Sequence, residues 1–122
     1  MKRGELGKLG EDTAVDYLKR HKFRIRETNF RCRFGEIDII AEYKKYLVFV
    51  EVRARSDISF GTPEESITAT KKRKLIRSAQ NYIQTHQKLP AQWRIDVVAI
   101  ETLPDGTVSR IELIENAISD VS

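Results

Sequence analysis

The sequence predicts an α/β fold, a mixed β-sheet flanked by helices, in a single domain spanning residues 1–122. Three observations predict it. Helical spacing of apolar residues occurs twice: Ala14, Val15 and Leu18 share one face near the N terminus, and Leu75, Ala79, Tyr82, Ile83 and His86 form a stripe further on. Between them the run Leu47-Val48-Phe49-Val50 continues past Glu51 to Val52, the mark of a central strand covered on both faces. The elements follow the order α, β, β, β, α, β, β, and the crossover helix implies that the strands it joins run parallel.

A first helix is expected from Glu5 to His21, after a flexible Met1 to Gly4. Gly7 and Gly10 lower its propensity, so they either fray its start or let another backbone or a phosphate approach Glu11, with fraying the expected outcome. A short strand over Arg24–Thr28 leads into a turn through Asn29 to Phe34, and Gly35 opens a second strand to Glu42. Tyr43-Lys44-Lys45 then makes a hairpin turn into the hydrophobic strand Tyr46–Ala54. After the loop Ser56–Pro63, Thr62-Pro63-Glu64-Glu65 reads as a helix start with a capping box, kept short by the β-branched Ile67, Thr68 and Thr70. A second start at Thr70 opens the helix to His86, which packs at its end, and Leu89-Pro90 closes the region. Trp93–Glu101 and Thr107–Ile114 are strands joined by a turn at Pro104-Asp105-Gly106.

Three carboxylates stand against this pattern. Glu11, Asp38 and Glu51 each occupy a position where the local period calls for an apolar side chain. An ion pair with one of the 22 Lys and Arg residues would explain any one of them. A buried anion is costly unless paired, protonated or bound to a metal, so three together point to a shared cation. Alternation puts Glu36, Asp38, Ile40 and Glu42 on one face, and Leu47, Phe49, Glu51, Arg53 and Arg55 on one face of the next strand. If the hairpin brings Asp38 and Glu51 to the same side, their oxygens can bind one hard cation. Magnesium suits such a site, because it takes few carboxylates and leaves room for water and phosphate oxygens. Glu11 would then complete the metal shell or orient the attacking water.

The chain carries a formal charge of +4, which permits a polyanionic partner without identifying one. Lys71, Lys72, Arg73, Lys74 and Arg77 crowd the start of one helix, and Arg24, Arg26, Arg31 and Arg33 crowd one strand and its loop. The single cysteine, Cys32, forms no internal bridge, and no histidine is placed to activate it as a nucleophile. Without a long apolar stretch or a signal-like N terminus, the chain is expected to be soluble and cytoplasmic, with no membrane partner. Arg94 and Asp96, two apart on one strand face, are expected either to support Glu51 or Arg53 or to form a local ion pair.

The segments Gly35-Glu36-Ile37-Asp38-Ile39-Ile40, Phe49-Val50-Glu51-Val52-Arg53-x-Arg55 and Arg94-x-Asp96-Val97-Val98-Ala99-Ile100 resemble the YraN family of small bacterial proteins. The resemblance extends from Gly4 to about Ala117, through Gly10-Glu11, Asn29-Phe30-Arg31, Phe60-Gly61 and the helix from Lys72 to Tyr82. That family is assigned to the PD-(D/E)XK nuclease-like superfamily, beside archaeal Holliday junction resolvases and restriction endonucleases. The resemblance implies a restriction-endonuclease-like αβββαβ core. Carried over by position, the superfamily's aspartate is Asp38, its second acid Glu51 and its helix glutamate Glu11, while the lysine position holds Arg53.

The resemblance therefore implies a magnesium-dependent endonuclease, manganese serving as well, that hydrolyses phosphodiesters in structured or branched DNA. Asp38 and Glu51 would bind the metal, and Glu11, Asp38, Glu51 and Arg53 would be catalytic. Arg55, Lys71, Lys72, Lys74 and Arg77 are expected to contact nucleic acid, and Lys71 or Lys74 would supply the ammonium that Arg53 replaces. A homodimer would provide the two sites that symmetric junction cleavage requires. Because an arginine does not release its proton, the alternative is a nucleic-acid-binding or partner-recruiting module that keeps fold and metal pocket without turnover.

Overall fold

The computed structural model describes residues 3–119. Its elements are α1 (Arg3–Arg20), β1 (Arg24–Cys32), β2 (Gly35–Tyr43), β3 (Tyr46–Arg55), a 3₁₀ turn (Glu64–Ser66), α2 (Ala69–Thr85), β4 (Gln92–Thr102) and β5 (Val108–Ile118). The strands form one five-stranded sheet in the order β1-β2-β3-β4-β5. β3 and β4 are parallel, joined by the α2 crossover, and every other neighbouring pair is antiparallel. This is a mixed α/β sheet with the αβββαβ core of the restriction-endonuclease-like fold.

The alternation of β3 divides its side chains between two apolar layers. Leu47 and Phe49 pack with Leu75, Ala79 and Tyr82 under α2, while Val48 and Val50 pack with Ala14 and Leu18 under α1. Fully burying a side chain of this size contributes about 1.5–3 kcal/mol, so β3, lying between β2 and β4, anchors both layers. Among the described residues no helix is long and apolar enough to cross a membrane.

Several boundaries differ from the sequence expectation. α1 begins at Arg3 and passes through Gly7 and Gly10 without fraying, so the expected flexible start does not hold for Arg3 and Gly4, and Met1 and Lys2 lie outside the described residues. Packing offsets the propensity cost at Gly10, which is buried where a Cβ would stand 3.0 Å from the Cβ of Ala54. β1 runs on to Cys32, pairing Phe30 with Ile37 and Arg31 with Glu36, so the turn shrinks to Arg33-Phe34. Asparagine tolerates left-handed backbone, which suggests a turn at Asn29; the residue has φ 55°, but as a single position inside the strand. α2 is capped by Thr68, whose side chain accepts the Lys71 N–H at 3.1 Å, two residues before the expected start. The Thr62–Glu65 capping box forms, with the Thr62 N–H donating to Glu65 Oε1 at 2.8 Å, but it opens only one 3₁₀ turn.

Candidate active-site cleft

The β2–β3 ladder starts with Tyr43 opposite Tyr46 and stops at Ile39 opposite Val50. Continuing that register sets Asp38 against Glu51, so the hairpin carries both carboxylates to one place. There the strands part. β3 stays in the sheet through its parallel ladder with β4 as far as Arg55, and on its β2 side the Val52 N–H donates to Asp38 Oδ2 at 2.8 Å. Strict alternation is lost across Asp38: Ile37 and Ile40 both join the α2 layer, whereas Ile39 joins the α1 layer. The shared face expected for Glu36, Asp38, Ile40 and Glu42 is therefore interrupted where the strands diverge.

A cleft of about 770 Å³ opens at this divergence, lined among others by Glu11 from α1, Asp38 from β2, Glu51, Arg53 and Arg55 from β3, and Lys71 from α2. The close approach at Gly10 seats α1 against β3 and so delivers Glu11 to the cleft wall. Glu11 is half-buried rather than turned into the apolar core, and its Oε1 accepts the Asn29 side-chain N–H at 2.7 Å. Sequence reasoning misses Asn29 as part of the site. Its signals there are a residue type that tolerates left-handed backbone and a place in the Asn29-Phe30-Arg31 segment of the family resemblance.

Glu51 is the buried charge of the cleft, only 3% exposed. Its Oε2 accepts from Arg53 Nε at 3.0 Å, with Arg53 Nη2 2.9 Å away in the same ion pair and Lys71 Nζ at 3.8 Å. Its other oxygen, Oε1, is buried without a hydrogen-bond partner. Burial first and the Asp38 carboxylate second push the Glu51 carboxyl up to about 7, against the opposing pull of Lys71 and Arg53. An orphaned carboxylate oxygen beside a second carboxylate fits a hard cation, which would satisfy it and offset the mutual repulsion. Asp38 and Glu51 are the residues that could hold such an ion. Among the described residues no group of three or more His, Cys, Asp or Glu side chains is gathered closely enough to hold a metal, so Glu11 does not stand with Asp38 and Glu51 as one ligand cluster. Engaged by Asn29, it remains on the wall, able to accept a hydrogen bond from water or substrate.

Of the basic residues expected on α2, the structure brings only Lys71 into the cleft, with its side chain 26% exposed; Lys72, Arg73, Lys74 and Arg77 remain exposed on the helix. Lys74 instead stands over the β1–β2 turn, its Cβ 3.6 Å from the position a Cβ would take on Gly35. Arg31 reaches the cleft and pairs with Glu36 at 3.4 Å. Arg24 and Arg26 both pair with Glu42 at 2.7 Å and do not line the cleft.

Arg94 and Asp96 do not support Glu51 or Arg53. They take the parity of Val98 and Ile100, in the α1 layer, opposite the face that Glu51 shares with Phe49. Arg94 Nε donates to Asp96 Oδ1 at 3.0 Å, and the same oxygen accepts the Asn116 N–H at 2.9 Å where the β4–β5 register shifts. The pair is a brace for that irregularity. His86 stacks on Tyr82 with ring centroids 3.7 Å apart, a packed residue at the end of α2.

Comparison with known sequences gives the chain a family. Residues 10–100, which include every cleft residue named above, match a model described as "Uncharacterised protein family UPF0102". A UPF0102 protein from Caldicellulosiruptor saccharolyticus is 43% identical over 117 residues, covering 96% of this chain and 99% of its own length. One from Geobacter metallireducens is 43% identical over 112 residues, 92% of this chain and 90% of its own length. A third, from Persephonella marina, is 50% identical over 94 residues, 77% of this chain and 81% of its own length.

Proposed function

This chain belongs to the uncharacterised protein family UPF0102, and we propose that it is a metal-dependent nuclease hydrolysing phosphodiesters in structured or branched DNA. One observation carries the reading. The Glu51 carboxylate is buried beside Asp38, with one oxygen turned to two cationic side chains and the other without a partner. A divalent cation held there by Asp38 and Glu51, magnesium or manganese, would supply a Lewis acid for the phosphate and a water of lowered pKa.

The chain's own residues divide the remaining work. The Val52 N–H holds Asp38 Oδ2 and so fixes the direction of that carboxylate. Arg53, anchored on Glu51 through Nε and Nη2, keeps its remaining N–H donors for a phosphate oxygen and stays charged throughout. Lys71 Nζ, 3.8 Å from Glu51 Oε2, stands beside Arg53 as the compact ammonium that the lysine position of the wider superfamily would otherwise supply. Glu11, fixed by Asn29, accepts a hydrogen bond from the attacking water. Arg55 lines the same cleft and extends the phosphate contacts. The substrate clause rests on the likeness to junction resolvases and on the exposed basic side chains of α2. A symmetric cut would need two copies of the chain.

The presence of Arg53 at the lysine position favours a second reading, a nucleic-acid-binding module without turnover. A cleavage assay separates them, using four-way junction, flap, single-stranded and duplex DNA with magnesium or manganese. The nuclease reading expects metal-dependent cutting of the branched substrates that Asp38→Ala abolishes. Absence of cutting on all four DNAs, in a protein that binds them, would leave the module reading.

A further inference from the structure

We propose that Phe60 is a stacking platform for unpaired bases at the edge of the cleft, so that the protein selects single-stranded or branched DNA over blunt duplex. The proposal rests on the nucleic-acid reading above and adds to it the residue that discriminates between substrates. Phe60 is 93% exposed, and Ile58 in the same loop is 50% exposed. Single apolar residues on a surface are ordinary, but a fully displayed aromatic ring beside a second apolar side chain in one short loop is a contact surface without its partner.

The position of the loop identifies the occupant. Ser56 and Asp57 line the cleft at its start, and Ser66 lines it beyond its end, so the loop is tethered to the cleft at both sides. Two residues, Ile58 and Ser59, separate Phe60 from Asp57, which keeps their Cα atoms within about 10 Å. Arg31, Arg53, Arg55 and Lys71 line the cleft among carboxylates that a divalent cation would neutralise, so on the nucleic-acid reading an occupant that meets Phe60 and the cleft together is anionic and carries flat apolar faces. Unstacked bases on a phosphate backbone have that chemistry; paired bases inside a blunt duplex keep their faces covered.

The loop is also held in shape. Asp57 Oδ1 accepts the Ser59 N–H at 2.9 Å and the Ser59 hydroxyl at 2.6 Å, and the Gly61 N–H donates to Ile58 O at 3.0 Å. Gly61 has φ 120°, a left-handed value that a side chain would strain, and its missing Cβ faces Glu65. Beyond it Glu64 pairs with Arg110 at 2.9 Å, and Arg110 also pairs with Glu101, tying the 3₁₀ turn to the sheet. Phe60 is therefore presented on a braced loop, which limits the ordering cost of stacking a base on it.

The test is equilibrium binding to single-stranded, single-strand-flap and blunt duplex DNA, with calcium in place of magnesium to occupy the carboxylates while binding is read without cutting. Phe60→Ala should weaken binding to single-stranded and flap DNA by roughly tenfold and leave the duplex within about twofold. Phe60→Trp should restore affinity, and its added indole emission should be quenched by single-stranded DNA. A wild type that binds these DNAs while Phe60→Ala binds them equally well overturns the platform alone. Loss of self-association in Phe60→Ala, with DNA affinity unchanged, overturns it in favour of a second copy as the occupant. A wild type that binds none of the DNAs overturns the platform and the nucleic-acid reading together.

Discussion

Lys71 Nζ on α2 stands 3.8 Å from Glu51 Oε2 on β3, an oxygen that Arg53 already holds at 2.9 Å. An ammonium and a guanidinium thus meet at one buried carboxylate, the first a compact mobile charge and the second a planar fork. If the chemistry uses that difference, the two cations are not interchangeable. Lys71→Ala and Arg53→Ala should each slow magnesium-dependent cleavage about 100-fold, on the order of 3 kcal/mol for a missing transition-state donor. Arg53→Lys should keep activity while Lys71→Arg should not, as single-turnover rates will read. Full activity in Lys71→Arg would reduce Lys71 to a fixed charge.

Glu51 sets a pH dependence of stability. Its carboxyl is raised from 4.5 to about 7 in the fold, so the folded state keeps a proton that the unfolded chain releases. Stability therefore falls as pH rises from about 4.5 to about 7 and stays low above, by an amount on the order of 3 kcal/mol. Glu51→Gln, which cannot ionise, should be more stable than wild type at pH 8 and lose that advantage below pH 5. Urea midpoints across this range provide the check, and a constant difference between the two proteins would contradict it.

A cation bound at Asp38 and Glu51 would compete with that proton. Millimolar magnesium or manganese should raise the melting temperature more at pH 8 than at pH 5.5. The shift should vanish in Asp38→Asn and Glu51→Gln and survive in Glu11→Gln, because Glu11 is engaged by Asn29 rather than by the pair. Differential scanning fluorimetry reads all four proteins, and a shift that needs Glu11 would make it a ligand after all.

The exposed basic side chains of α2 should act through charge alone. Replacing Lys72, Lys74 and Arg77 with alanine should weaken binding to all DNA sequences alike. The salt dependence should flatten by roughly 0.9 in log–log slope for each duplex phosphate that is no longer neutralised. Binding isotherms between low and physiological salt measure it, and an unchanged slope would return these residues to solvated surface.

Arg94 and Asp96 should matter for the fold and not for the cleft. Asp96→Ala leaves Arg94 only its 3.8 Å contact with the exposed Glu115 and the Asn116 N–H without its acceptor, a destabilisation of about 3 kcal/mol for a broken buried pair. The cation-induced rise in melting temperature should persist in that variant. Its disappearance from a folded protein would connect the brace to the metal pair.

The amino-acid sequence by itself determined the α/β class, the central place of β3 and the opposition of Asp38 to Glu51 in a hairpin that closes in register. A period near 3.6 or 2 states which side chains share a face, and a tight hairpin fixes which positions stand opposite, but the break in alternation at Asp38 came from the tertiary structure. Only the tertiary structure decided which member of the basic run enters the cleft. Lys71 to Lys74 are adjacent in sequence, and the rotation of α2 against the sheet, set by Leu75, Ala79 and Tyr82, turns the first inward. Tertiary packing also gave Glu11 the Asn29 side chain as its partner, and paired Arg94 with Asp96 on the opposite face from Glu51. Periodicity carries the direction of a side chain within its own element, whereas distances between elements come from how the layers pack, which no local pattern encodes.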